Sequence, residues 1–204
     1  FKLRSFRFGS IGTVFFIVAF FSWLISLPTF LQGAWGWSVL KTGFAIAPGP
    51  FLCAFLSPIG GRVAERVGNG PLLTLSGLFG AAGLVSHVLF TTLEPHFIKG
   101  VLLPGLLIGV GAALGFAQLI GATMRDVQPD QFGMGGAGRT TIFQLSLALG
   151  VALAFTIVGR PSISGEVLDG LRVVWLMGIG CYLVQMIIFG LFSFTPEKSW
   201  KRKS

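Results

Sequence analysis

Charged residues are scarce in this sequence, because Asp, Glu, Lys and Arg together make up only 11% of its 204 residues. Hydrophobic residues make up 53%, and the mean hydropathy is +0.83. A soluble domain of this length normally devotes roughly 25% of its residues to charge. The shortage of charge therefore excludes a soluble globular protein and indicates an integral membrane protein.

Cysteine and histidine are almost absent, with two residues of each. Cys53 and Cys181 lie inside apolar stretches, which argues against a disulfide framework. His87 and His96 do not stand at metal-ligand spacing from another His, Cys or carboxylate, and no catalytic pair or phosphate-binding loop accompanies them. We therefore predict no enzyme activity, no metal and no cofactor, and we interpret His87 as a polar residue near a helix end.

The net charge of +8 does not indicate a nucleic-acid partner, because the basic residues flank apolar runs instead of forming one continuous face. The apolar runs themselves are free of charge, and each reaches the roughly 20 residues that a helix needs to cross a bilayer. Alternating apolar and polar positions are absent, which excludes an outer-membrane barrel. We predict an all-α transmembrane protein, a six-helix bundle in the lipid bilayer, with spans near residues 9–31, 42–60, 71–91, 101–122, 140–158 and 173–194.

The distribution of Lys and Arg predicts the orientation of these spans. Eleven of the 15 basic residues fall on the side that holds both termini, and four fall on the other side. Basic residues accumulate in cytoplasmic connections. Both termini are therefore expected in the cytoplasm, below a plasma (inner) membrane, and residues 195–204 are expected to form a basic cytoplasmic tail. Prolines at positions 48 and 50 predict a kink in the second span.

The span interiors contain no Asp, Glu, Lys or Arg, so this chain lacks an obvious proton carrier. Their polar groups include Gln118, Gln144 and Gln185, which either bond a neighbouring helix or face a cavity. Trp23 lies mid-span, where lipid contact and a substrate cavity both remain open. The 21 Phe residues would suit a cavity for hydrophobic or cationic small molecules.

The polar break from Gly60 to Pro71 resembles the loop signature G-x-L-x-D-R-x-G-R-[KR] of the major facilitator superfamily, in the copy found in the C-terminal half. Glu65 stands where Asp is usual. Residues 36–48 and 127–150 are similar to the patterns G-x-S-x-x-x-x-G-x-x-x-x-P and V-x-P-x-x-x-G of the 14-helix drug:proton antiporter branch. The signature positions that match are Gly61, Glu65, Arg66 and Gly68.

This resemblance implies half of a major facilitator fold, the C-terminal half of a proton-driven exporter that alternates against a missing N-terminal half. That other half would carry the proton-binding acid. The first, second, fourth and fifth helices would line the cavity. Export of lipid or a lipid-linked metabolite and a non-transport six-helix scaffold are the alternatives. The cavity candidates carried over are Trp23, Ser26, Phe30, Phe51, Phe55, Gln118 and Gln144.

The loop itself is predicted to act as a conformational latch. Glu65 would lie near a helix N-terminus, where the helix dipole favours a negative charge. Arg66 would pair with Asp126 at the cytoplasmic end of the fourth span. The latch residues are thus Gly61, Glu65, Arg66, Gly68 and Asp126. A bare half would expose its polar inner face to lipid, so we expect the isolated chain to be poorly stable.

Overall fold

The computed structural model describes residues 4–158 and 164–193, and it describes side chains for residues 4–158 and 167–191. Within these ranges the chain forms α-helices and no β-strand. A π-helical turn over Ile98–Leu102 leads into α5, and a 3₁₀ turn over Pro129–Gln131 leads into α6. The helices are α1 (Arg4–Gly33), α2 (Val39–Ile46), α3 (Pro48–Val67), α4 (Asn69–Phe90), α5 (Leu103–Met124), α6 (Phe132–Val158) and α7 (Ser164–Ser193).

These helices make six membrane-length apolar spans, because α2 and α3 follow one another as a single span from Val39 to Val67. The break between them falls at Ala47, directly before Pro48. Proline lacks a backbone N–H and clashes with the preceding turn, so the helix is interrupted there. The predicted all-α transmembrane bundle is confirmed, and the helix of the second span is interrupted next to the prolines from which a kink was predicted.

The helices extend beyond the predicted spans at several ends. Helix α6, which forms the fifth span, begins at Phe132 instead of residue 140. Helix α7, which forms the sixth span, begins at Ser164 instead of residue 173. Charge marks the edge of the hydrocarbon layer, whereas a helix continues into the headgroup region with charged residues on its first turns. Arg139, Asp169 and Arg172 lie on helices for this reason. The predicted tail over 195–204 lies outside the described residues.

The predicted loop from Gly60 to Pro71 is wrong in its length. Helix α3 continues to Val67 and α4 begins at Asn69, so Gly68 is the only non-helical residue of that segment. Gly68 has φ of +83°, a left-handed conformation that an L side chain rarely adopts. A single glycine therefore reverses the chain between α3 and α4. We call this end of the bundle the inner end, and the opposite end, which carries the α1–α2 and α4–α5 connections, the outer end.

Helix α4 packs against α5 and α7, and α1 packs against α5, α6 and α7. Glycines allow the closest approaches: a Cβ added at Gly111 of α5 would lie 2.9 Å from the Gly80 nitrogen and the Ser76 carbonyl oxygen of α4. Lipid tails are as apolar as the side chains, so close van der Waals packing and interhelical hydrogen bonds hold such a bundle together. The absence of a side chain at Gly111 thus sets the distance between α4 and α5 at this crossing.

Burial divides the spans into two groups. In the most apolar stretch of each span, 56% of the residues are buried in α1, 50% in α4, 50% in the α5 span and 33% in α7. The corresponding fractions are 11% for the α2–α3 span and 17% for the α6 span. We call α1, α4, α5 and α7 the packed spans, and α3 and α6 the open spans. Each open span has one main neighbour, α5 for α3 and α1 for α6.

Candidate functional site

The predicted cavity residues separate into two sets that the bundle does not bring together. Trp23, Ser26 and Phe30 of α1 and Gln118 of α5 are buried, with 0 to 3% of their surface exposed. The other set lies on the open spans and is exposed: Phe51, Phe55 and Gln144. The residues therefore do not enclose one cavity within this chain.

Trp23 does not face lipid, which corrects one interpretation made from the sequence, and within the described residues it borders only a narrow gap toward Gly49 of α3 and Gly105 of α5. Its indole is 3% exposed, and Nε1 donates a hydrogen bond of 2.9 Å to Nε2 of His87 on α4. Ser26, one turn further along, donates to the Trp23 carbonyl oxygen at 3.1 Å. Both residues belong to the core between α1 and α4.

His87 is the centre of a buried chain of hydrogen bonds that links three packed spans. Indole N–H groups only donate, so Nε2 of His87 accepts from Trp23 and the neutral ring carries its proton on Nδ1. Nδ1 then donates to Thr91 Oγ1 at 3.2 Å, and the Thr91 hydroxyl donates to the Gly100 carbonyl oxygen at 3.0 Å. The ring also stacks on Trp175 of α7, with centroids 4.9 Å apart.

This cluster was missed by sequence reasoning, which treated His87 as a polar residue near a helix end. His87 does lie one turn before the end of α4, but it is fully buried. Its partner on α1 is 64 residues away in sequence, and only the packing of α1 against α4 brings the two rings together. Because both ring nitrogens are already engaged, the cluster holds helices together in this state and has no free position for a second proton.

Phe30 belongs to an aromatic cluster at the outer end of the bundle, not to a cavity. Its ring lies 5.6 Å from that of Trp35, which lies 5.0 Å from Trp37. Trp35 Nε1 donates to the Thr92 carbonyl oxygen at 2.9 Å, and the Lys41 ammonium lies 4.2 Å above the Trp37 ring. The two outer connections are therefore fastened to each other.

The three span glutamines have three different environments. Gln185 Nε2 on α7 donates to the Leu73 carbonyl oxygen of α4 at 3.0 Å, so it bonds a neighbouring helix. Gln144 on α6 is exposed. Gln118 is 2% exposed, yet neither its Oε1 nor its Nε2 has a hydrogen-bond partner among the residues that the structure describes. Gln118 is therefore the buried candidate whose polar group is left unused by the fold.

Aromatic side chains on the open spans point away from the bundle. Phe51 and Phe55 of α3 are 65% and 74% exposed, and Phe155 of α6 is 57% exposed. Gln144 on α6 is exposed as well. Exposed aromatic and amide side chains suit contact with another apolar structure or with a hydrophobic ligand that also offers hydrogen-bonding groups.

The proposed latch pair between Arg66 and Asp126 is not formed, which corrects the expectation from the sequence. Asp126 Oδ1 lies 3.4 Å from Arg125 Nε, its neighbour in the turn after α5. Glu65 and Arg66 are exposed on the last turn of α3, and neither has an ion-pair partner in the described part of the chain. Arg125 is next to Asp126 in the sequence and can therefore reach it, whereas Arg66 is on another helix.

A cleft of about 700 Å³ opens at the outer end between the end of α4 and the π-helical turn. None of the seven cavity candidates lines it. Its walls are mainly apolar, with Lys99 and His96 at the rim. The residues around it are Leu89, Phe90, Thr92, Pro95, His96, Phe97, Ile98 and Lys99.

Comparison with known proteins identifies one family. The family model described as Major Facilitator Superfamily matches residues 1–151 of the chain. Over 155 residues the chain is 27% identical to the riboflavin transporter RibZ of Clostridioides difficile (strain 630). The aligned region covers 74% of the chain and 33% of that relative.

Two further relatives carry resistance names. The fatty acid resistance protein FarB of Neisseria gonorrhoeae is 29% identical over 160 residues, or 78% of the chain and 31% of the relative. The multidrug resistance protein Stp of Mycobacterium tuberculosis (strain ATCC 25618 / H37Rv) is 29% identical over 153 residues, or 74% of the chain and 26% of the relative. The chain thus spans about a third of the length of these curated relatives.

Proposed function

The chain belongs to the Major Facilitator Superfamily, and from this premise we propose that it supplies one six-helix half of a membrane exporter for hydrophobic or cationic drug-like compounds. Export would be coupled to proton influx. The chain would form the C-terminal half, with both termini on the cytoplasmic side of a plasma membrane. Relatives named as multidrug resistance proteins support this substrate class.

The unequal burial of the spans carries the proposal. Two spans of similar hydropathy differ greatly in burial. The mean hydropathy is 2.1 for the α6 span and 2.0 for the α5 span, but the buried fractions are 17% and 50%. The open spans also bear Phe55, Phe155 and the Gln144 amide on exposed surface. An amide that faces hydrocarbon without a partner is unfavourable. A second six-helix bundle, with a cavity between the two halves, would cover this surface and offer partners to its polar groups.

The side chains of the open spans favour particular substrates. Aromatic rings bind hydrophobic compounds by stacking, and they attract cations through their negative faces. An exposed glutamine amide adds one hydrogen-bonding group without adding charge. In this proposal the proton-binding acid lies in the other half, because both nitrogens of His87 are already engaged within the packed spans.

Transport by the full-length natural protein that contains this sequence tests the proposal. The protein would be reconstituted in proteoliposomes with an imposed pH gradient, and uptake of a fluorescent lipophilic cation would be followed. We expect uptake that depends on the gradient and disappears with a protonophore. Uptake equal to that of protein-free liposomes would contradict export, and uptake indifferent to the gradient would contradict proton coupling.

Export of a lipid or lipid-linked metabolite is the second candidate, favoured by the relative named fatty acid resistance protein. The same proteoliposomes would be given a radiolabelled long-chain fatty acid in place of the cation. Gradient-driven movement of the fatty acid, with no movement of the cation, would select this alternative. Movement of either compound would exclude a non-transport scaffold.

A further inference from the structure

Gln118 has a buried amide for which the fold provides no partner. It lies on α5, about six residues before the inner end of that helix at Met124, and is 2% exposed. Both its carbonyl oxygen and its amide nitrogen lack a hydrogen-bond partner in the described ranges. Most buried side-chain polar atoms in proteins have at least one partner, so an amide with both atoms unpaired requires an explanation.

The backbone of α3 covers this amide. A Cβ added at Gly60 would lie 3.1 Å from Gln118 Nε2 and 3.5 Å from Leu114 Cδ2, both on α5. Only a residue without a side chain lets α3 lie so close to the amide. Gly60 is itself buried, although α3 as a whole is mostly exposed. Gln118 is therefore hidden by one glycine of an open span.

Helix α3 lacks regular backbone hydrogen bonding close to the point where it lies over the Gln118 amide. Pro58 lies inside α3 and cannot donate to the carbonyl of Ala54, one turn earlier. Ser57 donates its hydroxyl to the Cys53 carbonyl oxygen at 2.7 Å, a contact that often bends helices. Two successive residues thus loosen α3 just before Gly60. A bend of α3 would therefore be expected at this turn, on the outer side of Gly60.

The outer half of α3 is held more firmly on α5. A Cβ added at Gly109 would lie 2.6 Å from the Gly49 carbonyl oxygen, which is a close contact between two backbones. Gly49 and Gly60 are separated by 11 residues, or roughly 16 Å along a helix with a 1.5 Å rise. The firm contact and the covered amide therefore lie at opposite ends of the α3–α5 interface, with the Pro58 turn between them.

We propose that Gln118 is a hydrogen-bonding subsite for substrates that carry an imide or lactam group, and that it is uncovered when the inner part of α3 bends away at Pro58. This rests on the proposed export function. A glutamine amide presents a carbonyl acceptor beside an N–H donor, and an imide or lactam presents the complementary donor and acceptor. A quaternary ammonium or phosphonium cation has no N–H donor and would gain nothing from Gln118.

Binding of two matched probes to the full-length natural protein in detergent tests the subsite. The probes are 1,8-naphthalimide and its N-methyl derivative, which differ by the imide N–H. We expect at least tenfold tighter binding of the N–H compound to the unmodified protein. The Gln118→Met variant keeps the side-chain length without hydrogen bonds, so the preference should disappear while tetraphenylphosphonium binding stays unchanged.

The Gln185→Met variant is the matched control, because Gln185 is also buried with an unpaired Oε1, but its Nε2 donates to the Leu73 carbonyl oxygen. It should lower the thermal unfolding midpoint and leave the preference for the N–H compound intact. Equal binding of the two naphthalimides to the unmodified protein would overturn the subsite. A preference that survives in Gln118→Met, or a variant that weakens tetraphenylphosphonium to the same extent, would also overturn it.

The binding measurement does not depend on transport, so the two proposals can fail separately. Probe discrimination through Gln118 without any gradient-driven transport would refute the exporter and retain the subsite. The proposed movement of α3 away from residue 118 is tested by a Gln118→Cys variant with Cys53 and Cys181 replaced by serine. We expect N-ethylmaleimide to label it in the folded protein, and complete protection over hours would show that α3 does not uncover this position.

Discussion

The packed and open spans have similar hydropathy but differ in what their side chains contact. On the packed spans, Ser76 Oγ of α4 donates to the Gly111 carbonyl oxygen at 2.7 Å, and Gln185 reaches α4 in the same manner. On the open spans, Gln144 and the Phe55 ring are exposed. Polar groups of the packed spans therefore mainly hold the bundle together, whereas those of the open spans are available for contacts outside it.

The largest effect on stability is expected at His87, on the packed spans. Replacing it with alanine removes the partner of Trp23 Nε1 and of Thr91 and leaves a cavity beside Trp175. We expect a loss of about 3 kcal/mol in unfolding free energy, because buried donors lose their acceptor and packing is lost. The thermal unfolding midpoint of the full-length protein in detergent measures this.

His96→Ala is the matched control, since the His96 side chain is 63% exposed. Exposed positions of this kind usually change stability by about 0.5 kcal/mol or less. Equal shifts for the two histidine variants would contradict the buried cluster and would remove the main polar contact assigned to the packed spans.

A smaller effect is expected where α4 and α5 approach most closely. In Gly111→Ala the new methyl group would meet backbone atoms of Ser76 and Gly80 at 2.9 Å. We expect a loss of about 1–3 kcal/mol, the usual range for overpacking. Gly105→Ala on the same helix meets nothing within 4 Å, so it should be neutral or slightly stabilising. If both alanines were tolerated equally, backbone contact between these helices would not be limiting.

A comparable or smaller loss of stability is expected at the turn that joins an open span to a packed span. Gly68→Ala forces an alanine to φ of +83° and ψ of 168°, a backbone region essentially confined to glycine, which costs about 1–3 kcal/mol. Gly61→Ala lies in the helical part of the same motif with nothing within 4 Å of the new methyl group, and it should not destabilise. Unfolding midpoints of the two variants compare them directly. A destabilised Gly61→Ala would indicate that the open face of α3 is covered there.

The smallest effect on stability is expected at Phe55, which is 74% exposed. Phe55→Ala should change the unfolding free energy by about 0.5 kcal/mol or less, as for other surface positions. Transport of the lipophilic cation in proteoliposomes should nevertheless fall, because the proposed aromatic contact is lost. Phe16→Ala provides the comparison, since Phe16 is fully buried. Equal destabilisation by both would break the distinction between packed and open spans.

Much of the fold could be predicted, but less of the site. Charge-free runs indicated all six spans, and Pro48 indicated where the helix of the second span is interrupted, because both signals are local. The positions of Trp23 and Gln118 could not be predicted, since hydropathy does not state which side of a helix meets another helix. The pairing of Arg66 with Asp126 failed for a related reason: proximity between two helix ends was inferred from the order of the spans alone.

Composition and motifs were enough to infer that this chain crosses a membrane, how many times it does so, and to which family it is similar. Those properties follow from composition and from short-range patterns. The packing of the helices, in contrast, was needed to see that His87 binds Trp23, that α3 and α6 are left exposed, and that Gly60 lies against an unpaired amide at Gln118. Burial and hydrogen bonding between helices depend on which faces meet, and residues far apart in the chain determine this together.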